Sequence, residues 1–226
     1  MSCCFIRNPR SKRDESRDRA VLCNLAVERF YTQPVHTSAS QGRYEGLAQP
    51  EETRKLKICL VGDVGVGKTS LIRRFVLDVF DDKYIATIGT KVTKKDIDIK
   101  NPATGAQEKV TLLIWDIMGQ PSFREVLREA YFYGVQGSLA ICDVTSKESL
   151  GELRYWIKAM TATTGKVPIV FLGNKCDLRE ETRIPFQDLE VFAKKNDSPA
   201  MLTSAKTGYN VEQAFQTLVE MMLSSK

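Results

Sequence analysis

From Lys55 onward the pattern of apolar and polar positions alternates between two periods. Short apolar runs such as "KICLV" (57–61), "GSLAICD" (137–143) and "PIVFLG" (168–173) read as strands buried on both faces. Between them lie segments with apolar residues every three or four positions, such as "LIRRFVLDVF" (71–80), which read as amphipathic helices. The pattern predicts strands over 55–61, 88–99, 108–116, 137–143, 168–173 and 199–203. It predicts helices over 68–78, 122–132, 147–162, 186–195 and 210–224. Strands alternating with helices imply a three-layer α/β fold around a mostly parallel sheet. "NPATG" (101–105), between the second and third strands, reads as a hairpin turn and makes that pair antiparallel. The chain carries no internal repeat.

Residues 1–52 follow a different pattern. They are polar and mixed in charge, and they end in the turn-forming "YTQPVHTSASQGRYEGLAQP" (31–50). Within them, "RAVLCNLAVERF" (19–30) puts Val21, Leu22, Leu25, Ala26 and Phe30 on one helical face. A helix of that length is marginal on its own. The expected organisation is therefore an N-terminal extension, 1–52, mostly disordered with at most a short amphipathic helix, and a globular domain, 53–226.

Composition narrows the function classes. The 226 residues are 42% hydrophobic and 27% charged, which suits a soluble domain. A net charge of +5, spread along the chain, gives no reason to invoke nucleic acid. No apolar run approaches the roughly 20 residues that span a bilayer. The N-terminus lacks the apolar stretch of a secretory signal. The expected location is cytoplasmic. The 6 cysteines show no metal-type spacing, and Cys59, Cys142 and Cys176 lie in or beside apolar runs, as small buried hydrophobes do. His36 is the only histidine, which excludes histidine-dependent triads and multi-histidine metal sites.

The chemistry is concentrated in four short stretches. "GDVGVGKTS" (62–70) follows a strand and opens a helix, and it matches G-x-x-x-x-G-K-[ST] with Gly62, Gly67, Lys68 and Thr69 at the fixed positions. Glycines here let successive N–H groups turn inward, and the helix start adds free N–H groups and a positive dipole end. The stretch Gly62, Asp63, Val64, Gly65, Val66, Gly67, Lys68, Thr69 and Ser70 is thus a phosphate cradle. Lys68 is placed to reach the outer phosphates and the Thr69 hydroxyl to bind Mg²⁺. "LLIWDIMGQ" (112–120) ends a strand at Asp116, where a carboxylate can hold Mg²⁺ through water. Behind it, Gly119 offers a backbone N–H to a terminal phosphate and Gln120 an amide that can orient an attacking water. "IVFLGNKCD" (169–177) presents Asp177, whose two acceptor oxygens suit the paired N–H donors of guanine. Asn174 and the Lys175 stem would support the base plane. "TSAK" (203–206) adds Ser204, Ala205, whose N–H could donate to guanine O6, and Lys206.

In this order, with "FDDKYIATIG" (80–89) between the first two stretches, the chain resembles the Ras-superfamily small GTPases, closest to the Rab branch, over about residues 54–226. The resemblance implies a P-loop NTPase fold, the small G domain. Its mostly parallel sheet has six strands, one of them antiparallel, with about five helices and a GTP–Mg²⁺ site at the strands' carboxyl ends. It implies that Phe80 flanks guanine, Tyr84 covers the phosphates and Thr87 joins Thr69 and Asp116 around Mg²⁺. Thr90 is a nearby competitor, which spacing from Lys68 disfavours. Lys68 and Gln120 would be the catalytic pair. Residues 80–92 and 117–133 would be switches read by effector, exchange-factor and activating proteins.

Several positions depart from the family's usual residues. Val64 stands where a small residue is usual, Met118 where Ala is common and Pro121 where Glu is common. The chain stops at "MMLSSK" with its last cysteine at Cys176, so no prenyl anchor is expected. Cys3 and Cys4 beside basic residues are a candidate lipid attachment, set against a plain soluble tail. Two functions fit: a switch that hydrolyses GTP to GDP, and a GTP-binding scaffold or sensor with negligible turnover. An ATPase fits less well, because adenine lacks the donor pair that suits Asp177.

Overall fold

In the computed structural model, which describes residues 53–83, 87, 89–119 and 131–224, the apolar runs pair into one six-stranded sheet. The strands are β1 Arg54–Val61, β2 Thr90–Lys100, β3 Gln107–Ile117, β4 Gly137–Asp143, β5 Ile169–Asn174 and β6 Ala200–Leu202, in the order β2-β3-β1-β4-β5-β6. Only β2 and β3 are antiparallel; every other neighbouring pair is parallel. The hairpin joining β2 to β3 closes with Asn101 N–H to Ala106 O at 2.8 Å and Gly105 N–H to Asn101 O at 2.8 Å. The Asn101 side chain steadies the turn by accepting the Ala103 N–H at 2.8 Å.

The helices among the described residues are α1 Lys68–Leu77, α2 Lys147–Thr164, α3 Phe186–Lys194 and α4 Val211–Ser224, with a short 3₁₀ turn at Arg179–Glu181. The expected helix over 122–132 lies outside the described residues except for its last two positions, Tyr131 and Phe132, which are helical. Helix α2 runs two residues beyond its expected end. It stops where Gly165 adopts φ 72° and its N–H closes onto Thr161 O, a turn that needs a residue without a side chain.

Two apolar layers enclose the sheet. On one face, Leu71 and Phe75 of α1 and Phe215, Leu218 and Met222 of α4 bury against Leu56, Ile58 and Leu60 of β1. Phe75 and Phe215 stack with ring centroids 3.9 Å apart. Each such side chain contributes about 1.5–3 kcal/mol on burial. Cys59 alternates to the other face, where its sulfur lies 3.8 Å from that of Met160 on α2, beside Leu153 and Trp156. Burial pushes the Cys59 and Cys142 thiols up to about 12, so both serve as inert packing groups. Among the described residues no helix is long and apolar enough to cross a membrane.

All parallel strands share one direction, so the carboxyl ends of β1, β4, β5 and β6 open on one edge together with that of β3. There the buried apolar pattern gives way to polar groups: Asp116 at the end of β3, Asp143 at the end of β4 and Asn174 at the end of β5. Such an edge is where open α/β sheets bind ligands.

Candidate functional site

The loop from β1 to α1 is built around its last glycine. Gly67, the residue before α1, has φ 98°, and a Cβ there would run into the Asn174 amide nitrogen. Helix α1 starts with no side-chain cap and no acidic residue in its first turn. Its first N–H groups and positive dipole end therefore face the loop's concavity, ready for an anion. Lys68 is almost fully buried and arches back over the loop. Its ammonium donates to Gly62 O at 2.8 Å and Asp63 O at 2.7 Å.

Beside Lys68 lies an oxygen cluster. The Thr69 hydroxyl is 2.9 Å from the Thr87 hydroxyl and donates to an Asp116 carboxylate oxygen at 2.5 Å. Asp116 is only 2% exposed, and its other oxygen, Oδ1, is buried with no partner among the described residues. Burial raises its carboxyl above the ordinary value, against the Thr69 hydrogen bond and the charge of Lys68. Two hydroxyls and a carboxylate with one oxygen still unpaired among the described residues form a hard donor set that suits Mg²⁺. Thr90 is the first residue of β2, opposite Ile117, and its own hydroxyl is buried without a partner among the described residues.

The opposite wall comes from the ends of β5 and β6. Asn174, 1% exposed, donates to Val66 O at 2.8 Å and accepts the Ala205 N–H at 3.2 Å, so one side chain ties the phosphate loop to both other loops. The Ala205 N–H, expected at guanine O6, is in this structure engaged by Asn174. The Ser204 hydroxyl donates to Asp177 at 2.6 Å and fixes that carboxylate's orientation. Lys175, at φ 66°, forms an ion pair with Asp143 at 2.5 Å. The second Asp143 oxygen accepts the Thr145 N–H at 2.9 Å and the Thr145 hydroxyl at 2.7 Å.

A cavity of about 320 Å³ runs between the two walls, from Lys68 and Gly119 at one end to Asp177 and Lys206 at the other. Val64, Gly65, Gly67, Thr69, Ser70, Phe80, Thr87, Asn174, Lys175 and Ala205 also line it. Gly62, Asp63, Val66 and Ser204 do not line it; their carbonyls and hydroxyl hold the lining residues from behind. Tyr84 and Gln120 lie outside the described residues.

Sequence reasoning missed four contributors. Asp143 holds Lys175. Arg74 donates to Ala205 O at 2.9 Å and Lys206 O at 2.7 Å and so carries the 203–206 loop. Met118 joins Val64 as an apolar wall, and Arg73 reaches the cavity from α1. Asp143 ends a strand, but its role appears only once β4 is seen to pair with β5. Arg74 was not findable either, since its partners are 131 and 132 positions away in sequence.

Comparison with known proteins agrees with this geometry. The Ras family model matches residues 57–224. Ras-related protein Rab-13 of Bos taurus is 34% identical over 169 residues, covering 74% of this chain and 79% of the relative. Ras-related protein Rab-31 of Homo sapiens is 35% identical over 164 residues, covering 72% and 80%. Ras-related protein RABD2a of Arabidopsis thaliana is 36% identical over 171 residues, covering 75% and 80%. The chain belongs to the Ras family, as a Rab-like small GTPase that binds guanine nucleotide.

Proposed function

We propose that the 320 Å³ cavity holds GTP or GDP, with the phosphates in the 62–70 loop and the base against Asp177, and that GTP turnover is slow without a partner. The observation that carries this reading is the pairing of the two ends. A buried ammonium over a capless helix start faces, across one cavity, a carboxylate locked by Ser204 at 2.6 Å. The first end suits phosphate and the second suits the guanine N1–H and N2–H₂ donors. Thr69 and Thr87 would hold Mg²⁺ directly and Asp116 through water. When bound, the ion neutralises phosphate charge. Lys68 donates to the outer phosphate oxygens, Gly119 offers its N–H there, and Gln120 orients the water.

Slow turnover follows from positions at which this chain departs from the family's usual residues. Val64 is stiff at χ1, 45% exposed, and lines the cavity together with Met118. It crowds the space that an oriented water and a partner's cation need. Pro121 fixes φ directly after Gln120 and disfavours helical geometry at Gln120 itself. We place the unassisted rate at or below the order of 10⁻⁴ s⁻¹. The same two residues keep a second reading in play, a GTP-bound scaffold or sensor with negligible hydrolysis.

Residues 80–92 and 117–133 are the surfaces for effector, exchange-factor and activating proteins. Residues 53–226 form the working domain in this reading, with 1–52 as an extension. The location is cytoplasmic, with any membrane attachment through Cys3 or Cys4; fractionation with and without 1–52 tests it. The main experiment identifies the nucleotide released on denaturing the purified protein, then follows single-turnover hydrolysis of loaded GTP. Guanine nucleotide and a slow rate are expected; equal competition by ATP would overturn the base assignment. In Asp177→Asn, preference should pass to xanthine nucleotide, whose C2 carbonyl accepts from the new amide.

A further inference from the structure

Resting on the proposal that this cavity holds guanine nucleotide, we propose that Arg73 is a further nucleotide-binding residue, a cation supplied from α1 to the phosphate side of the nucleotide. On a helix, residues three and four apart share a face, and Arg73 lies four positions after Thr69 and three after Ser70. Both of those line the cavity, and so does Arg73. Side chains on a helix lean toward its N-terminus. Arg73 sits about 6 Å along the axis from Thr69, a rise that an arginine leaning backward spans with its own length. From its place on the cavity wall the guanidinium has the reach to the end of α1 where the phosphate cradle lies.

Among the described residues the guanidinium has one weak partner. Arg73 lies 3.9 Å from the Asp81 carboxylate, and both side chains are 39% exposed. A pair that long and that exposed contributes little. Asp81 has its own local engagement, accepting the Lys83 N–H at 3.0 Å, and it lines the same cavity. The neighbouring Arg74 behaves differently: it is committed to three carbonyls and a carboxylate at 2.7–3.1 Å. Of two adjacent arginines, then, one is fastened to the protein and the other stands in the cavity with a loose, exchangeable partner. A planar guanidinium binds phosphate oxygens at two points, where the Asp81 carboxylate at 3.9 Å makes no hydrogen bond. With nucleotide present, Arg73 passes from Asp81 to a phosphate oxygen.

The test is the release rate of a fluorescent GDP analogue from the full-length protein, chased with excess unlabelled GDP in Mg²⁺. Arg73→Leu keeps the helix and should release about tenfold faster, with Arg73→Lys between it and the wild type. Asp81→Asn keeps the local turn, because the amide oxygen still accepts from Lys83, and it frees the guanidinium. It should release no faster than wild type, and the acceleration by Arg73→Leu should persist in the Asp81→Asn background. Release from Arg73→Leu within twofold of wild type overturns the inference. So does equal, non-additive acceleration by both single variants, which would make the pair a clasp on residues 80–83 and nothing more. Wild-type protein that takes up no GDP overturns the functional reading, and this inference with it; wild-type binding with an unchanged Arg73→Leu overturns this inference alone.

Discussion

The two walls of the cavity are held in different ways. The base-side wall is cross-linked from within: buried Asn174 joins three loops, Ser204 holds Asp177, Asp143 holds Lys175, and Arg74 holds the carbonyls of residues 205 and 206. The segment 80–83 on the phosphate side is anchored by Phe80, which packs against the core, while its acidic residues reach other elements through long ion pairs at exposed side chains, Arg73–Asp81 at 3.9 Å and Asp82–Lys206 at 3.8 Å. Buried, charge-assisted bonds hold their geometry, whereas exposed pairs at such distances contribute almost nothing. The base wall is thus preorganised by the protein. Residues 81–83, beyond the Phe80 anchor, have no comparable buried brace among the described residues, and in the proposed reading their order comes from what fills the cavity.

The largest test breaks the preorganised wall. Asn174→Ala leaves the Val66 carbonyl and the Ala205 N–H unpaired in a buried place and should cost about 2–4 kcal/mol. Urea unfolding without added nucleotide measures it. A cost below about 1 kcal/mol would mean that the loops hold one another without Asn174, and the contrast between the walls would lose its basis.

A smaller effect is expected where the walls approach the phosphates. A Cβ at Gly119 would lie 2.6 Å from the Asp63 carbonyl carbon and 2.6 Å from the Val64 nitrogen, so Gly119→Ala must move backbone. GTP affinity should fall about tenfold more than GDP affinity if, as proposed, the displaced N–H serves the terminal phosphate. Titration of the two nucleotides separates the outcomes. An equal loss for both would show that Gly119 serves the loop's shape alone.

The same contrast explains how much was legible in the sequence. The 62–70 loop was readable because each requirement is local: a backbone turn that only glycine makes, an ammonium and a hydroxyl at fixed spacing, a strand before and a helix after. Asp177 was readable because strand β5 carries it to the sheet's open edge. The β2–β3 hairpin was readable from its turn residues. The braces of the base wall were not, because Arg74 and Asp143 acquire meaning only when the chain order of the sheet brings β4 beside β5 and α1 beside residues 205 and 206. Arg73 reads in sequence as the polar face of an amphipathic helix, and only the cavity shows which way that face looks. The expected end of α2 was short by two residues, since Thr163 and Thr164 carry no apolar period to mark it.

Turnover sharpens the comparison on the phosphate side. Val64→Gly removes the exposed apolar side chain at the loop's tip and should raise intrinsic or partner-stimulated hydrolysis about fivefold, while Gln120→Leu should lower it. Single-turnover phosphate release reads both. A Val64→Gly protein no faster under either condition would remove the steric argument and leave Val64 a tolerated loop residue.

The smallest effect concerns the tether behind the second switch. The Lys57 ammonium donates to Tyr133 O at 2.6 Å, and its backbone exchanges hydrogen bonds with Gln136 at 2.9 and 3.0 Å. Residues 133–136 are thereby fastened to β1. Burial lowers the Lys57 amine from 10.5 to about 8, while the Trp115 ring, 3.8 Å from the nitrogen, favours the charged form. A lysine whose amine titrates lower in the folded state costs stability while it is charged. The unfolded chain binds the proton more tightly between about 8 and 10.5, so this group's contribution rises with pH across that window. Lys57→Met lacks the titration, and the other lysines and tyrosines cancel in the difference between the two proteins. The melting temperature of wild type minus that of Lys57→Met should therefore increase from pH 8 to pH 10. A flat difference would mean that the Trp115 face offsets burial, and that this tether, unlike the exposed pairs at residues 81 and 82, holds its charge at no cost to the fold.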